Sequence, residues 1–340
     1  LSNYDRSNHQ LFHFIDKDVR FVNQYPNSTA MDIQRVRTVV EQLFPASSPQ
    51  IERVAVGVST YVYRIFAHNT TWYLRVLPEE GASFVPEAEV HTRLRQMGVR
   101  VPEIIFVEPY NELLQRSIML TTEIPGQSLA QSQHPGEKAL AEIAREAGRD
   151  LARINSLPVD GFGWIKRDLA TPAGALQAEW PTYRAFIDEY WEADLHYLAH
   201  HVLSTPEIAQ LERMRVAYDR WLDLEQGCLV HGDFDITHIY QDQGHYSGII
   251  DFGEIRGADR WYDLAQFSMY LWELLPWPLE PALLRGYEEI TPLPADHEAH
   301  IHFSALLTSV RVLSRSLQKR PPNDYTQHLI QMLRTNLARL

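Results

Sequence analysis

The apolar periodicity of this chain changes once, near Glu123–Gly126, and that change limits the folds open to it. Before the change, apolar residues recur in short extended runs at 51–58, 61–67, 72–77, 104–108 and 117–124, separated by Gly57-Val-Ser-Thr60, His68-Asn-Thr70 and similar turn residues. Runs of this length and spacing predict antiparallel strands joined as hairpins. Two helical patterns accompany them. Over 31–44, Ile33, Val36, Val40 and Leu43 share a face, and over 87–97, Val90, Leu94 and Met97 are apolar, with Gly98 as a C-cap. After the change the pattern is helical, over 138–154, 181–201, 208–224, 261–275, 281–290, 297–317 and 325–340. Strands followed by helices predict a bilobal α+β protein. The expected divisions are a polar, Asn-rich extension or docked arm over 1–30, a sheet-bearing lobe over 31–125, and a helical lobe over 126–340.

Within the helical part, one extended stretch stands apart. Cys228-Leu-Val-His-Gly-Asp-Phe-Asp-Ile-Thr-His-Ile-Tyr240 carries Asp233 and His238, and Gly248-Ile-Ile-Asp-Phe-Gly253 carries Asp251. About twenty residues separate the two acids, with turn residues at 241–244, which is the spacing of a strand or loop, a turn and a returning strand. The pairing brings Asp233 and Asp251 together. Phosphoryl transfer needs two carboxylates in different roles, one to orient and deprotonate a hydroxyl and one to hold a metal ion on phosphate oxygens. Asp233 suits the first role, the alternative being a solvated turn carboxylate. Asp251, at the end of the apolar run Gly248-Ile-Ile, suits Mg²⁺, the alternative being a cap or salt bridge. His238 is placed as a second metal ligand, although Mg²⁺ prefers oxygen to imidazole. It could instead contact phosphate, orient Asp233 or simply pack.

The strand-rich part offers groups for a triphosphate. Arg75 lies between Leu74 and Val76, where it could reach phosphate oxygens and pair with Glu87, ahead of Glu89. An exposed strand arginine is the alternative. Gly57-Val-Ser-Thr60 could cover phosphate through backbone N–H groups and the hydroxyls of Ser59 and Thr60. It is not a P-loop, because it has no Gly-Lys-Ser/Thr, and a plain hairpin reads the same way. Gly161-Phe-Gly163 is a loop in this reading, without the third glycine of a dinucleotide site. His196 and His200 have an i,i+4 spacing that can bind metal, but no glutamate stands in the catalytic position between them, so a solvated helix face is expected. Trp180, Tyr183, Trp191, Trp272 and Trp277 could line an acceptor cleft, while aromatics at helical spacing also serve as core.

Charge and cysteine content narrow the partners. A net charge of −13 argues against nucleic acid and anionic membranes and favours a cationic partner. Cys228 is the single cysteine, so no intrachain disulfide forms, and a reducing, cytoplasmic setting is expected. The most apolar stretch, near 270–284, is broken by Glu273, Pro276, Pro278 and Glu280, so no membrane span is expected. Near the start, His13, Asp16, Lys17 and Asp18 interrupt any apolar core, so no signal peptide is expected either.

The run from Leu229 to Tyr240, with Ile249-Ile-Asp-Phe-Gly253 and Gly257-Ala-Asp-Arg-Trp-Tyr-Asp-Leu-Ala265, resembles the aminoglycoside phosphotransferase family of small-molecule kinases. Tyr73-Leu-Arg-Val76, Glu87-Ala-Glu-Val90 and Thr122-Glu-Ile-Pro-Gly126 add to the resemblance. It implies a protein-kinase-like fold, with an antiparallel-sheet N-lobe and a helical C-lobe. It implies Asp233 as catalytic base, His238 and Asp251 as Mg²⁺ ligands, and Arg75 with Glu87 on the α- and β-phosphates, where many relatives use lysine. The backbone of Thr122 and Ile124 would meet the purine of ATP or GTP, and Asp263 would be structural, bracing the catalytic loop or a helix start. The usual metal-binding asparagine is His238 here, and Asn155 stands where relatives often have histidine. The implied reaction moves a γ-phosphoryl group onto a small hydroxylated acceptor. Net charge points to an aminoglycoside-like antibiotic, with a macrolide or another metabolite as alternatives. A nucleotide-binding protein with little turnover is the alternative of another class.

Overall fold

The computed structural model describes residues 31–54, 60–132, 136–168, 174–270, 278–319 and 321–340. The expected extension over 1–30, Ser59, Trp272 and Trp277 lie outside the described residues.

Helix α1 (Ile33–Leu43) starts at Asp32, whose carboxylate accepts from the Gln34 N–H at 2.9 Å. It buries Val36, Val39 and Val40. These pack with Tyr63, Ile65, Leu74, Ile118 and Leu120 of an antiparallel sheet. The sheet has five strands in the order β1 (Gln50–Val54), β2 (Tyr61–Ala67), β3 (Thr70–Val76), β5 (Arg116–Thr122) and β4 (Ile104–Asn111). In β2, Tyr63, Ile65 and Ala67 are buried and Arg64 and Phe66 exposed, as the two-residue period of a pleated strand requires. Helix α2 (Val85–Gln96) lies between β3 and β4 in the chain. Its Ala88 packs with Leu77, Phe84 and Met119 of this lobe, while Val90 and Leu94 join the core of the other lobe. The helix therefore ties the lobes together through burial of apolar surface from both.

The chain passes between lobes through 123–126. A Cβ on Gly126, at φ +89°, would lie 1.9 Å from the Gln241 carbonyl oxygen. Only glycine lets the crossover lie against the second lobe so closely. There β6 (Gln127–Ser128) precedes α3 (Glu137–Ile154), β7 (Pro158–Val159), β8 (Phe162–Ile165) and β9 (Ala178–Trp180). Helices α4 (Tyr183–His201) and α5 (Thr205–Ala217) come next, then β10 (Gly227–Val230), β11 (Ile239–Asp242), β12 (His245–Ile249) and β13 (Arg256–Ala258). The chain ends with α6 (Tyr262–Tyr270), α7 (Glu280–Glu288), α8 (His297–Lys319) and α9 (Asp324–Arg339). Two small sheets, ordered β7-β10-β13-β8-β9 and β12-β11-β6, are embedded among these helices. The main core joins Leu151 of α3, Leu198 of α4, Phe267 of α6, Leu283 of α7 and Leu306 of α8.

Some sequence-derived boundaries move. The helix expected over 208–224 starts at Thr205, because the Glu207 carboxylate accepts from the Ser204 N–H at 2.7 Å in a capping box. It stops at Ala217, after which the chain tightens into a single 3₁₀ turn over Asp219–Leu222. Gly161-Phe-Gly163, expected as a loop, runs into β8, where Gly163 pairs with Gly257. The last strand of the first sheet ends at Thr122 rather than at Ile124.

Candidate active site

Strand β10 is paired on both sides, to β7 and to β13, and it hands the chain to His231-Gly232-Asp233. Gly232 sits at φ +80°, and a Cβ there would lie 2.0 Å from the Glu254 carbonyl oxygen, so the loop needs glycine at that point. Asp263, in the first turn of α6, holds the loop. Its Oδ2 accepts from the His231 N–H at 2.8 Å and its Oδ1 from the Gly232 N–H at 2.9 Å. Asn155 donates through Nδ2 to the Leu229 carbonyl at 2.9 Å and to Asp263 Oδ2 at 3.3 Å. Tyr287 donates to its Oδ1 at 3.2 Å, so Asn155 fills a bracing position. Burial pushes the Asp263 carboxyl up to about 6, against the opposing pull of these donors.

His231 joins the two halves of the site. Its Nε2 lies 2.9 Å from the Ile250 carbonyl oxygen, which can only accept, and its Nδ1 accepts from the Asp233 N–H at 3.3 Å. Both contacts suit one neutral tautomer. Burial, followed by the charge of His238, lowers its pKa to about 3.

The hairpin β11–β12 turns at Gln243-Gly244, both with positive φ, and returns the chain to Asp251. Asp251 itself adopts the left-handed conformation at φ 68°, and its side chain is 44% exposed. A non-glycine residue in that region, held by the 3₁₀ turn that follows, aims its carboxylate out of the strand line.

His238 lies between the acids. Its Nδ1 is 2.7 Å from the Asp233 carbonyl oxygen and therefore carries a proton. In a neutral ring, Nε2 would present a lone pair to Asp251 Oδ2 at 3.5 Å. Two acceptors at that distance repel unless the ring gains a second proton or a cation enters. Asp233 Oδ2 and Asp235 Oδ1 lie 3.8 and 3.7 Å from Nδ1. Among the described residues, Asp233, Asp235 and His238 form a group whose donor atoms lie within 4.8 Å of one another. With Asp251 facing His238, this is an oxygen-rich donor set that fits a hard divalent cation.

Arg75 points in from β3. Its Nη1 pairs with Glu87 Oε1, and its Nη2 is 3.9 Å from Asp251 Oδ1. Glu87 is fully buried, and Arg167 meets its other oxygen at 3.4 Å while donating to the Gly253 carbonyl at 2.7 Å. Glu89 pairs instead with Arg93 at 2.7 Å. Thr60, one residue before β2, is buried. The Thr122 N–H is committed to the Glu103 carbonyl at 3.0 Å, and Ile124 is half-buried at the lobe junction.

A cavity of about 400 Å³ opens beside the loop, lined by Gly232 and Glu254 together with Tyr183 and Trp191 of α4. Trp180 is not among its lining residues. The His196 and His200 rings are 4.4 Å apart, and His200 Nδ1 is 2.7 Å from the His196 carbonyl, so that nitrogen is occupied by the helix. Cys228 donates to the Ala258 carbonyl at 3.3 Å, and burial raises its thiol well above the usual range.

Sequence reasoning missed Asp235, Arg167 and the bridging role of His231. For Asp235, the spacing of two residues from Asp233 was a usable signal. Arg167 has none, since it reaches Glu87 from a loop 80 residues away.

The model of a phosphotransferase enzyme family matches residues 50–300. The chain belongs to this family. No curated protein matches the sequence. Several solved structures resemble the whole fold. A thermostable mutant of aminoglycoside phosphotransferase APH(4)-Ia, in ternary complex with ADP and hygromycin B, is 18% identical. The match covers 88% of this chain and 98% of that one, with a TM-score of 0.62. A Thermobifida fusca protein assigned as a fructosamine-3-kinase is 18% identical, covers 90% and 99%, and has a TM-score of 0.60. A GDP complex of an aminoglycoside 2'-phosphotransferase-IIIa mutant is 17% identical, covers 91% and 98%, and has a TM-score of 0.60. The fold of this family member is the bilobal, protein-kinase-like α+β fold, with a sheet-bearing N-lobe and a largely helical C-lobe. Among the described residues, no helix is long and apolar enough to cross a membrane.

Proposed function

We propose that the protein is a small-molecule kinase that moves the γ-phosphoryl group of ATP or GTP onto a hydroxyl. The observation that carries this reading is the convergence of Asp233, His238 and Asp251, with Arg75 at 3.9 Å from Asp251. Family membership supports the reaction class, and the ADP and GDP in the two related structures support a nucleotide donor.

Each residue has a task in this reading. Asp233 accepts a hydrogen bond from the acceptor hydroxyl and takes its proton as the oxygen attacks phosphorus. The loop that carries it is fixed by Asp263 and Asn155, so the backbone that bears the carboxylate is set in advance. Arg75, held rigid by Glu87, meets phosphate oxygens of the nucleotide. Ser59 and Thr60 cover the phosphates, and the 122–124 backbone meets the purine. Asp251 and His238 would hold Mg²⁺, with Asp235 close by. When bound, the ion neutralises charge that builds on the phosphates. A lone, half-buried cysteine suits a cytoplasmic setting.

Net charge favours an aminoglycoside-like acceptor, and related structures carry that activity in their names. The cavity itself is mixed, with Glu179, Asp194 and Glu254 facing Arg256, Arg311 and Arg315. That lining gives more support to another hydroxylated metabolite than to a polycation or to a purely apolar macrolide. The test is a phosphotransfer screen with ATP and GTP over aminoglycosides, macrolides and hydroxylated acids, following acceptor-dependent nucleoside diphosphate release. Tight nucleotide binding with no phosphorylated acceptor would overturn the kinase reading and leave a binding protein.

A further inference from the structure

Three guanidinium groups line the cavity beside Gly232. Arg256 comes from β13, and Arg311 and Arg315 lie one turn apart on α8. Two of them are compensated. Arg311 Nη1 is 3.1 and 3.0 Å from the two oxygens of Asp194, and its guanidinium lies 3.5 Å over the Tyr190 ring. Arg256 Nη2 is 3.0 Å from Glu254 Oε2, and its guanidinium lies 4.0 Å over Trp164. Arg315 is half-buried and has no carboxylate within ion-pair distance among the described residues. Burial, then the charges of Arg311 and Arg256, lower its pKa, with Glu254 opposing.

A half-buried cation beside two others works against folding unless an anion joins it. The cavity holds the space for one. Trp164, Tyr190 and Trp191 supply flat apolar surface on the same lining. A polycationic acceptor would place ammonium groups against Arg315 and gain nothing from that wall.

We propose that this cavity is the acceptor site and that its ligand is a hydroxylated molecule bearing an oxyanion, carboxylate or phosphate. Arg315 binds the oxyanion, and an apolar or aromatic portion lies on the tryptophan and tyrosine rings. The hydroxyl part rests on the kinase reading, whereas the oxyanion site stands without it.

The test is a tryptophan-fluorescence titration of the full chain, because Trp164 and Trp191 line the cavity. The probes are mandelate, phenyl phosphate and neutral phenylethanediol. Wild type should bind one of the anionic probes about tenfold more tightly than the neutral one, the difference expected for one charge-assisted contact. A preference for mandelate identifies a carboxylate ligand, and a preference for phenyl phosphate a phosphate. Arg315→Gln should abolish the preference and leave the neutral probe unchanged, which separates this site from the anion-binding Arg75. Arg315→Gln should melt no lower than wild type, since it removes a cation with no ion-pair partner among the described residues. Should it fold poorly, Arg315→Lys carries the test: it keeps the charge and should keep the preference, more weakly. Equal affinities for charged and neutral probes, or a preference that survives Arg315→Gln, overturns the proposal. The kinase reading fails separately. Oxyanion binding that depends on Arg315, with no acceptor phosphorylated, leaves the site intact and removes the kinase. An aminoglycoside phosphorylated with the same KM by wild type and Arg315→Gln keeps the kinase and removes the oxyanion site.

Discussion

Replacing Glu87 with glutamine tests how the nucleotide side of the site is held. Glu87 is fully buried, and it faces Arg75, 12% exposed, and Arg167, 22% exposed. Glu87→Gln removes the anion and leaves both cations in place. Removing one partner of a buried pair costs about 3–5 kcal/mol, because the remaining charge is stranded. Here each arginine keeps a second contact, Arg75 with Asp251 at 3.9 Å and Arg167 with the Gly253 carbonyl at 2.7 Å. The expected cost therefore falls to about 2–4 kcal/mol, a large share of a typical stability of roughly 5–15 kcal/mol. Urea unfolding measures it as a shift in midpoint at constant slope. Arg75→Met in the Glu87→Gln background removes the stranded cation, so the double variant should be less destabilised than the sum by about 1–3 kcal/mol. With Glu87 neutral, Arg75 should also move toward Asp251 and raise the Mg²⁺ concentration needed for half-maximal activity. A single-variant cost under about 1 kcal/mol, or strict additivity of the two changes, would refute the claim that Glu87 anchors Arg75.

Three further outcomes follow from the geometry. Asp233→Asn should lower turnover by about 10²–10⁴, the usual range for a lost general base, while nucleotide affinity stays near wild type; full activity would remove Asp233 from that role. His238→Asn should keep or raise activity and lower the Mg²⁺ requirement. The amide can donate to the Asp233 carbonyl as Nδ1 does now, and it offers a hard oxygen toward Asp251. Loss of activity with an unchanged melting curve would show that the imidazole itself is required. His231 is held neutral with a pKa near 3, below the unfolded value of about 6.5, so the unfolded chain binds the extra proton first. Its contribution is complete above about pH 6.5 and is lost as pH falls toward 3, by up to about 5 kcal/mol. His231→Gln should flatten that part of the stability–pH curve, and an unchanged acid limb would contradict it.

The residues that were legible in the sequence share a property: their position follows from local pattern. Asp233 and Asp251 lie at the ends of apolar runs around a recognisable turn; that hairpin returns Asp251 to His238, which itself stands five residues after Asp233. Arg75 and Glu87 occupy a strand and the first turn of the next helix, so their pairing follows from chain connectivity. Arg167 reaches the same carboxylate from a loop that no periodicity places. The small strands β7, β8, β9 and β13 run from two to four residues, too short for alternation to show.

In the proposed acceptor site, a whole-chain quantity and the local lining point to different ligands. A charge of −13 is summed over all 340 residues, most of them at the surface, where water screens each from the rest. The cavity beside Gly232 is walled by α4, α8 and β13, and its three arginines match its three acids among the described lining residues. In α8, Arg311 and Arg315 are spaced by one helical turn, which in sequence reads as a solvated face. Only the packing of α8 against α4, which sets Arg311 on Asp194 and leaves Arg315 without an equivalent, turns that face into a wall. Binding responds to the few charges that share a low-dielectric space with the ligand, where each interaction is several times stronger than in water. Net charge therefore governs approach and solubility, and in the proposed site Arg315 would govern what stays.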